Sequence, residues 1–300
     1  MLTISKNNRR GYVFALLSAL TFGLVSAMAK PLVSSVNPLL LASFVYLISA
    51  ITLTPLAQKT KFGSIKKRDY YLILLISLSG AVIAPSLYFS GLVHTTASDA
   101  ALLANGEVFF SVLLAMVFFK EKLNSLGYVS VLLILVGLII VTTNLDFSYF
   151  TLEQIHYQDV LVITSMLFWA LDNNLSRVIA QKLHSAKIVQ IKSAIGGTSL
   201  FMITIFWFKI PLDLDIQQIP AIILLGTVGF ASSLYFFLNG LKHIGTIKTI
   251  MIFSLSSVFG LVSAFILLGE QISFYQIIAA GIMFGGVYLM NKKESSISPA

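Results

Sequence analysis

The sequence contains no cysteine, and its charged residues make up only 11% of 300 positions. The first absence excludes a disulfide framework, a thiolate metal site and a cysteine nucleophile. The second excludes an ordinary soluble domain, in which about 25% of residues are charged. Histidine is scarce as well. The four present show no metal-ligand spacing, so neither a metal nor a cofactor is expected. No phosphate-binding G-x-x-x-x-G-K-[S/T] loop, G-x-S-x-G elbow or H-E-x-x-H helix occurs, and no soluble segment is long enough to hold a nucleotide-binding domain. Transport energised by ATP therefore has no motif to carry it, and since the acids form no convincing catalytic set either, none is assigned.

What the chain has is apolar length: 57% of its residues are hydrophobic. Runs of about 20 residues recur from end to end, each long enough as a helix to cross a hydrocarbon core of about 30 Å. Spans read at about 11–29, 38–57, 70–91, 97–119, 125–143, 159–180, 187–207, 220–239, 246–268 and 273–290 predict an all-α membrane protein of ten transmembrane helices. The opening "MLTISKNNRR" runs into the first span without a small-residue cleavage site, and reads as a retained helix. The net charge of +8 does not indicate nucleic acid, because the basic residues lie in short loops between spans. Lys6, Arg9 and Arg10 precede the first span, and Lys59, Lys61, Lys66, Lys67 and Arg68 join the second to the third. By the positive-inside rule both segments, and hence both termini, are cytoplasmic in a multi-pass protein of the cell membrane. The loop after span five, with Asp146, Glu153 and Asp159 and no Lys or Arg, falls outside on the same count.

The chain also repeats itself. "GLVH" at 91–94 is followed by Glu121 in "FFKEKL", and "GLKH" at 240–243 by Glu270 in "LLGEQI", at one offset of 149 residues. That offset carries Gly137 onto Gly286, while an offset of 147 lays "ALTFG" at 19–23 over "MLFWA" at 166–170 and Lys30 over Arg177. The predicted units are 1–145 and 155–293, each of five spans. Five is odd, so the second copy is inverted in the bilayer relative to the first, placing Glu121 inside and Glu270 outside. Two inverted repeats around a midplane site are a recurring plan of secondary transporters.

This layout, with "FFKEKL" and "LLGEQI" at matching places and "LFWALDNNLSR" opening the second half, resembles the EamA branch of the drug/metabolite transporter superfamily over about residues 11–290. The resemblance implies export or exchange of small metabolites through a central cavity lined mainly by spans 1, 3, 4, 6, 8 and 9. It names no single substrate, since members range over amino acids, sugars and hydrophobic cations.

Polar positions that differ between the copies are the candidates for chemistry. Glu107 stands in a long apolar run near the centre of span four, sharing a face with Ala100, Ala104 and Ser111, and its repeat-mate at offset 149 is Ser256. It reads either as a hydrogen-bonding acid inside the bundle or as a cavity-lining group that exchanges a proton, since intramembrane acids mark ion and proton paths. Trp169, Asp172, Asn173 and Ser176 form one helical stripe, expected to bind substrate or, for Asp172, to pair with Arg177 or Lys192. Lys192, with Gly196 and Ser199 on its face, is a further partner for an anionic group. Lys30, Asp99, Arg177 and Lys248 lie nearer the membrane faces and are gate candidates; for the three basic ones, snorkelling to the headgroups is the competing expectation. Glu121 and Glu270 precede helix starts, where a carboxylate meets unpaired amides and the positive end of a helix dipole; both are expected to be structural. The aromatics Tyr46, Tyr88, Phe89, Tyr235 and Phe236 read as packing or as cavity wall.

The expected activity is alternating-access secondary transport of an amino-acid-like or amphipathic solute, with protons as candidate coupling ion, by a monomer or homodimer in the lipid bilayer. A lipid or lipid-linked sugar flippase is the alternative within transport. An intramembrane enzyme or membrane scaffold is the alternative outside it.

Overall fold

A computed structural model describes residues 6–58, 66–119, 125–145 and 156–294. The expectations for Lys59, Lys61, Glu121, Asp146 and Glu153 lie outside the described residues. Every regular element among the described residues is helical.

α1 (Lys6–Val33) and α2 (Pro38–Gln58) are joined by a short turn. Pro38 opens α2 where its missing N–H costs nothing, and Asn37 Oδ1 accepts from the Leu39 N–H at 3.0 Å. α3 (Lys67–Leu78) continues through a π-helical segment, Ser79–Ile83, into α4 (Ala84–Leu92). The next rod is broken: α5 (Ala97–Leu103) ends before α6 (Gly106–Phe119) starts, and α7 (Ser125–Thr143) follows. The second half begins with α8 (Tyr157–Ala180) and α9 (Ser185–Met202), the latter running on as a π-segment. α10 (Ile219–Leu224) and α11 (Ser233–Ile244) flank a third and longer π-segment, Leu225–Ser232. α12 (Thr246–Phe253) and α13 (Ser256–Leu268) form another broken rod, and α14 (Phe274–Glu294) closes the chain. Gly269 takes a left-handed φ of 68° to stop α13. Gln276 Oε1 accepts the Ser273 N–H at 2.9 Å in the manner of a capping box at the start of α14.

Eight of these segments are long and apolar enough to cross a membrane, among them Arg9–Val33, Lys67–Leu92, Ala97–Phe118 and Ile219–Ile244. Phe274–Leu289 is a shorter apolar helix. α8 is not among the eight, and it carries Asp159, Asp172, Asn173, Asn174 and Arg177. Large apolar side chains such as Ile51, Val117, Phe206 and Ile266 are turned outward, while Ser18, Ser43, Ser49 and Ser77 are buried within the bundle. This is the arrangement of a helical bundle whose solvent is lipid.

α2 packs along α9 and α7 along α14. α1 packs against α11 and α13, and α8 against α4 and α6. Gly197 lets α9 approach the backbone of Leu47 and Ser43 on α2, where a Cβ would meet main-chain atoms.

Candidate functional site

Glu107 does not interrupt a continuous helix, as its run of apolar neighbours suggested. The chain breaks at Ala104–Asn105, and Glu107 occupies the first turn of α6. There its own N–H donates to Ala104 O at 3.0 Å. The positive dipole end of a helix start favours a carboxyl group at this depth. The backbone bonds of this break recur 150 residues later. Ala104 N to Ala100 O, Asn105 N to Leu102 O and Glu107 N to Ala104 O are matched by Ser254 N to Ile250 O, Leu255 N to Ile252 O and Ser257 N to Ser254 O. In this backbone register Glu107 stands against Ser257 rather than Ser256; either way the mate is a serine.

Asn173 on α8 reaches Glu107 directly, its Nδ2 donating to Oε1 at 2.6 Å. Both side chains line a pocket enclosing about 330 Å³ of empty space, mouth included. Its walls are aromatic: Phe22, Tyr46, Trp169, Phe230, Phe237 and Phe253, with Ser233 as the other polar group. Phe22 and Trp169, superposed by the 147-residue offset, meet here edge to face at 5.7 Å.

Two wall residues are fixed by a single carbonyl. In the π-segment the Ala84 N–H reaches back to Ser79 O, and Pro85 has no N–H, so neither donor serves Gly80 O. Tyr46 Oη donates to that oxygen at 2.6 Å and Trp169 Nε1 at 3.0 Å. The freed carbonyl thus orients the phenol and the indole.

Asp172 faces away from the pocket. Its Oδ2 pairs with Lys192 Nζ at 2.5 Å, both residues 1% exposed, and Ser176 Oγ donates to Oδ1 at 2.9 Å. The carboxylate lies against Gly80, where any Cβ would overlap it. The partner is Lys192 from α9, not Arg177. The expected stripe is therefore divided: Trp169 and Asn173 line the pocket, while Asp172 and Ser176 complete a buried ion pair beside it.

The gate candidates fall elsewhere. Lys30 does not snorkel: its Nζ donates to Leu92 O, Val93 O and Thr95 O at 2.9, 3.0 and 2.7 Å, capping the end of α4. Thr95 Oγ1 in turn donates to Asp159 Oδ1 at 2.8 Å. Asp99 accepts from Gln276 Nε2 at 2.9 Å, from Tyr275 Oη at 3.2 Å and from Thr96 Oγ1 at 2.7 Å. Glu270 meets the start of a helix distant in sequence: Oε1 accepts the Ala97 N–H, and Oε2 the Ser98 N–H, both at 2.9 Å, with Ser98 Oγ at 2.6 Å. Lys248 is exposed, and Arg177 is part-buried near the end of α8. At that same end His184 Nδ1 accepts the Ala186 N–H at 3.4 Å as N-cap of α9. Partial burial and, second, the Lys242 charge hold His184 below the usual histidine pKa.

Sequence reasoning did not single out Phe22, Gly80 or Phe230, and left Tyr46 between packing and cavity wall. The signal available for Gly80 was Pro85 five positions on; for Phe22 it was its alignment with Trp169.

Comparison with known proteins accords with this architecture. The model of the EamA-like transporter family matches residues 9–143 and again 156–292. An uncharacterized transporter of Methanothermobacter thermautotrophicus is 30% identical over 294 residues, covering 93% of this chain and 85% of that protein. The pseudopaline exporter CntI of Pseudomonas aeruginosa is 21% identical over 229 residues, covering 76% of this chain and 77% of its own. One solved structure superposes with a TM-score of 0.68 at 15% identity, covering 94% of this chain and 96% of the other. The chain belongs to the EamA-like transporter family.

Proposed function

We propose that this multi-pass transporter moves a small amphipathic metabolite bearing an amino or other cationic group by alternating access, with Glu107 exchanging a proton for it. One observation carries the reading. Glu107 is a buried carboxyl group that opens onto an aromatic-walled pocket and, among the described residues, has a neutral amide instead of a cation as its partner. Aromatic faces attract cations and apolar surface alike, and the carboxyl adds an ionic partner at one end. The name of one relative, an exporter, favours outward transport.

Ten crossings in two inverted five-helix units, 1–145 and 155–293, are part of the same proposal. The double match of the family model, the recurrence of the broken rods and of the π-segments at Ser79–Ile83 and Leu225–Ser232, and the packing of α2 on α9 and α7 on α14 all support it. Cysteines placed at 121 and 270 in this cysteine-free chain are expected to label from opposite faces, 121 from the cytoplasm.

The functional test is uptake of an amine-bearing metabolite panel into proteoliposomes with and without a pH gradient. Glu107→Gln keeps the fold, because an amide fills the same space; it abolishes the response to the gradient and leaves exchange without a gradient intact. Uphill transport driven by a proton gradient in the Gln variant overturns the coupling role. If wild-type transport ignores pH, Glu107 is instead a direct ligand, and the same variant weakens binding of the cationic substrate.

A further inference from the structure

The connection between α9 and α10 is built like a strap. Residues 208–216 lie outside any helix, and the apolar ones among them alternate in direction. Ile210 and Leu214 pack inward against the buried core. Phe208, Leu212 and Ile216 turn the other way and are 56%, 58% and 78% exposed. A period of two is that of an extended segment with one face covered and one bare. Both ends are pinned. Lys209 takes a left-handed φ of 52° at the corner where the chain leaves α9, and the Ile210 N–H donates back to Thr204 O at 3.1 Å. At the far end Gln218 Oε1 accepts the Asp215 N–H at 3.2 Å, while its Nε2 donates to Ser35 Oγ in the α1–α2 turn at 2.9 Å. The bare apolar row therefore has a set position.

The repeat does not call for such a row. At the offset of 149 residues Phe208, Leu212 and Ile216 match Lys59, Gly63 and Lys67, and the matching segment 59–67 carries four lysines against one here. Apolar residues at these places serve something other than the common fold. Their neighbours say what covers them. Met202, Ile203, Phe206 and Trp207, just before the strap, are exposed on the span Ser185–Trp207, and Ile219, Ile223 and Leu224, just after it, on the span Ile219–Ile244. The row thus continues the lipid-facing surface of two membrane helices. Its depth follows from the backbone. Among the described residues the N–H groups of Leu212, Asp213 and Leu214 have no hydrogen-bond partner, a state that hydrocarbon does not permit. Lys209, Asp213 and Asp215 are exposed beside the row. Main chain and charges need water while the apolar row needs to leave it, and both needs are met where headgroups meet acyl chains.

We infer that residues 208–216 form an in-plane lipid anchor, lying in the headgroup layer on the side of the α1–α2 turn with Phe208, Leu212 and Ile216 dipped into the top of the acyl chains. Trp207 stands beside them at the level where indoles collect. The occupant of this surface is the lipid of one leaflet, the outer one in the orientation expected from the loop charges. The anchor fixes the depth of the facing ends of α9 and α10 and, through Gln218 and Ser35, that of the α1–α2 turn. It requires only that the chain spans a membrane; neither Glu107 nor the direction of transport enters it.

Because the chain has no cysteine, single cysteines report one position at a time. Leu212→Cys, Ile216→Cys and Asp213→Cys are each labelled with a methanethiosulfonate nitroxide, reconstituted into phosphatidylcholine vesicles, and studied by microwave power saturation with oxygen or a water-soluble nickel chelate as relaxant. Oxygen concentrates among acyl chains and the chelate in water. The expected ratio of oxygen to nickel accessibility lies above unity for the Leu212 and Ile216 variants and below it for the Asp213 variant. Nickel-dominated relaxation at the first two places the row in water and overturns the anchor. Weak relaxation by both reagents there means that protein covers the row, whether a second copy or another segment of this chain, and overturns lipid as its occupant. Oxygen dominance at Asp213 as well sinks the strap below the headgroups and overturns the depth. The two outward positions are read independently, so one variant that fails to fold leaves the other decisive.

Discussion

Replacing Asp172 by Asn tests whether the charge beside the pocket is a fixed strut. Asp172 and Lys192 are each 1% exposed and 2.5 Å apart, and Ser176 supplies one further bond. Removing the carboxylate leaves a buried ammonium with no anion, a change that typically costs about 3–5 kcal/mol. The expected loss for Asp172→Asn is therefore about 3–5 kcal/mol. The second half of the experiment is Lys192→Met, of similar length and without charge. In the double variant no charge is left unpaired, and at least about 2 kcal/mol of the loss returns. Reversible unfolding in mixed micelles by titration with sodium dodecyl sulfate measures all four proteins. A single variant within about 1 kcal/mol of the wild type, or a second substitution that adds to the loss, refutes the strut.

Three other outcomes follow from named contacts. Tyr46→Phe removes one of two donors to Gly80 O and costs about 1 kcal/mol, whereas adding Trp169→Phe orphans the buried carbonyl and costs more than the sum of the singles in the same unfolding assay. Glu270→Gln exchanges a carboxylate that accepts two backbone amides and a hydroxyl for a single carbonyl acceptor; about 1.5–3 kcal/mol is lost, and amide exchange accelerates at the start of α5. His184 caps α9 only while Nδ1 is unprotonated, and its folded pKa lies below the unfolded value. The cap is present above about pH 6.5 and is lost as the pH falls through the folded pKa, so amide protection at residues 185–188, taken relative to the unstructured exchange rate at each pH, falls on acidification in wild type but not in His184→Asn.

Hydropathy and period located the helical rods, because a membrane span needs little beyond length and apolarity. What it averaged away were the local exceptions that build the site. "ANGE" at 104–107 contains an Asn–Gly pair, yet the surrounding apolar run reads as one span; in the fold the break stands where α13 packs on α5 and α8 on α6. The partner of Asp172 was narrowed to Arg177 or Lys192 by helical spacing, but the choice depends on how α9 lies against α8. Lys30 could be placed near a membrane face, but not on the carbonyls of a helix distant in sequence. The aromatic walls were the least legible, since a buried tyrosine looks alike in a core and in a cavity until its neighbours are known.

Asp172 and Asn173 are adjacent in sequence, yet they sustain opposite arrangements at the two carboxyl groups. Asp172 is held by an ammonium and a hydroxyl, and taking up a proton there would abandon Lys192 as a lone buried charge. Glu107 is held by an amide. An amide carries both a donor and an acceptor: the Asn173 NH2 can donate to a carboxylate, and its carbonyl can accept from a protonated acid after the side chain turns. Protonation of Glu107 therefore leaves no opposite charge stranded, and a cationic solute can replace the proton without displacing a resident cation. A lysine in place of Asn173 would fix Glu107 in the ionised form and remove that freedom. On the proposed reading, Asn173→Asp is the sharper perturbation than Glu107→Gln. Two carboxyl groups at 2.6 Å would share one proton and bind a cation more tightly. Transport is then expected to slow at the release step while binding strengthens, a separation of KM from kcat that a purely structural Asn173 would not produce.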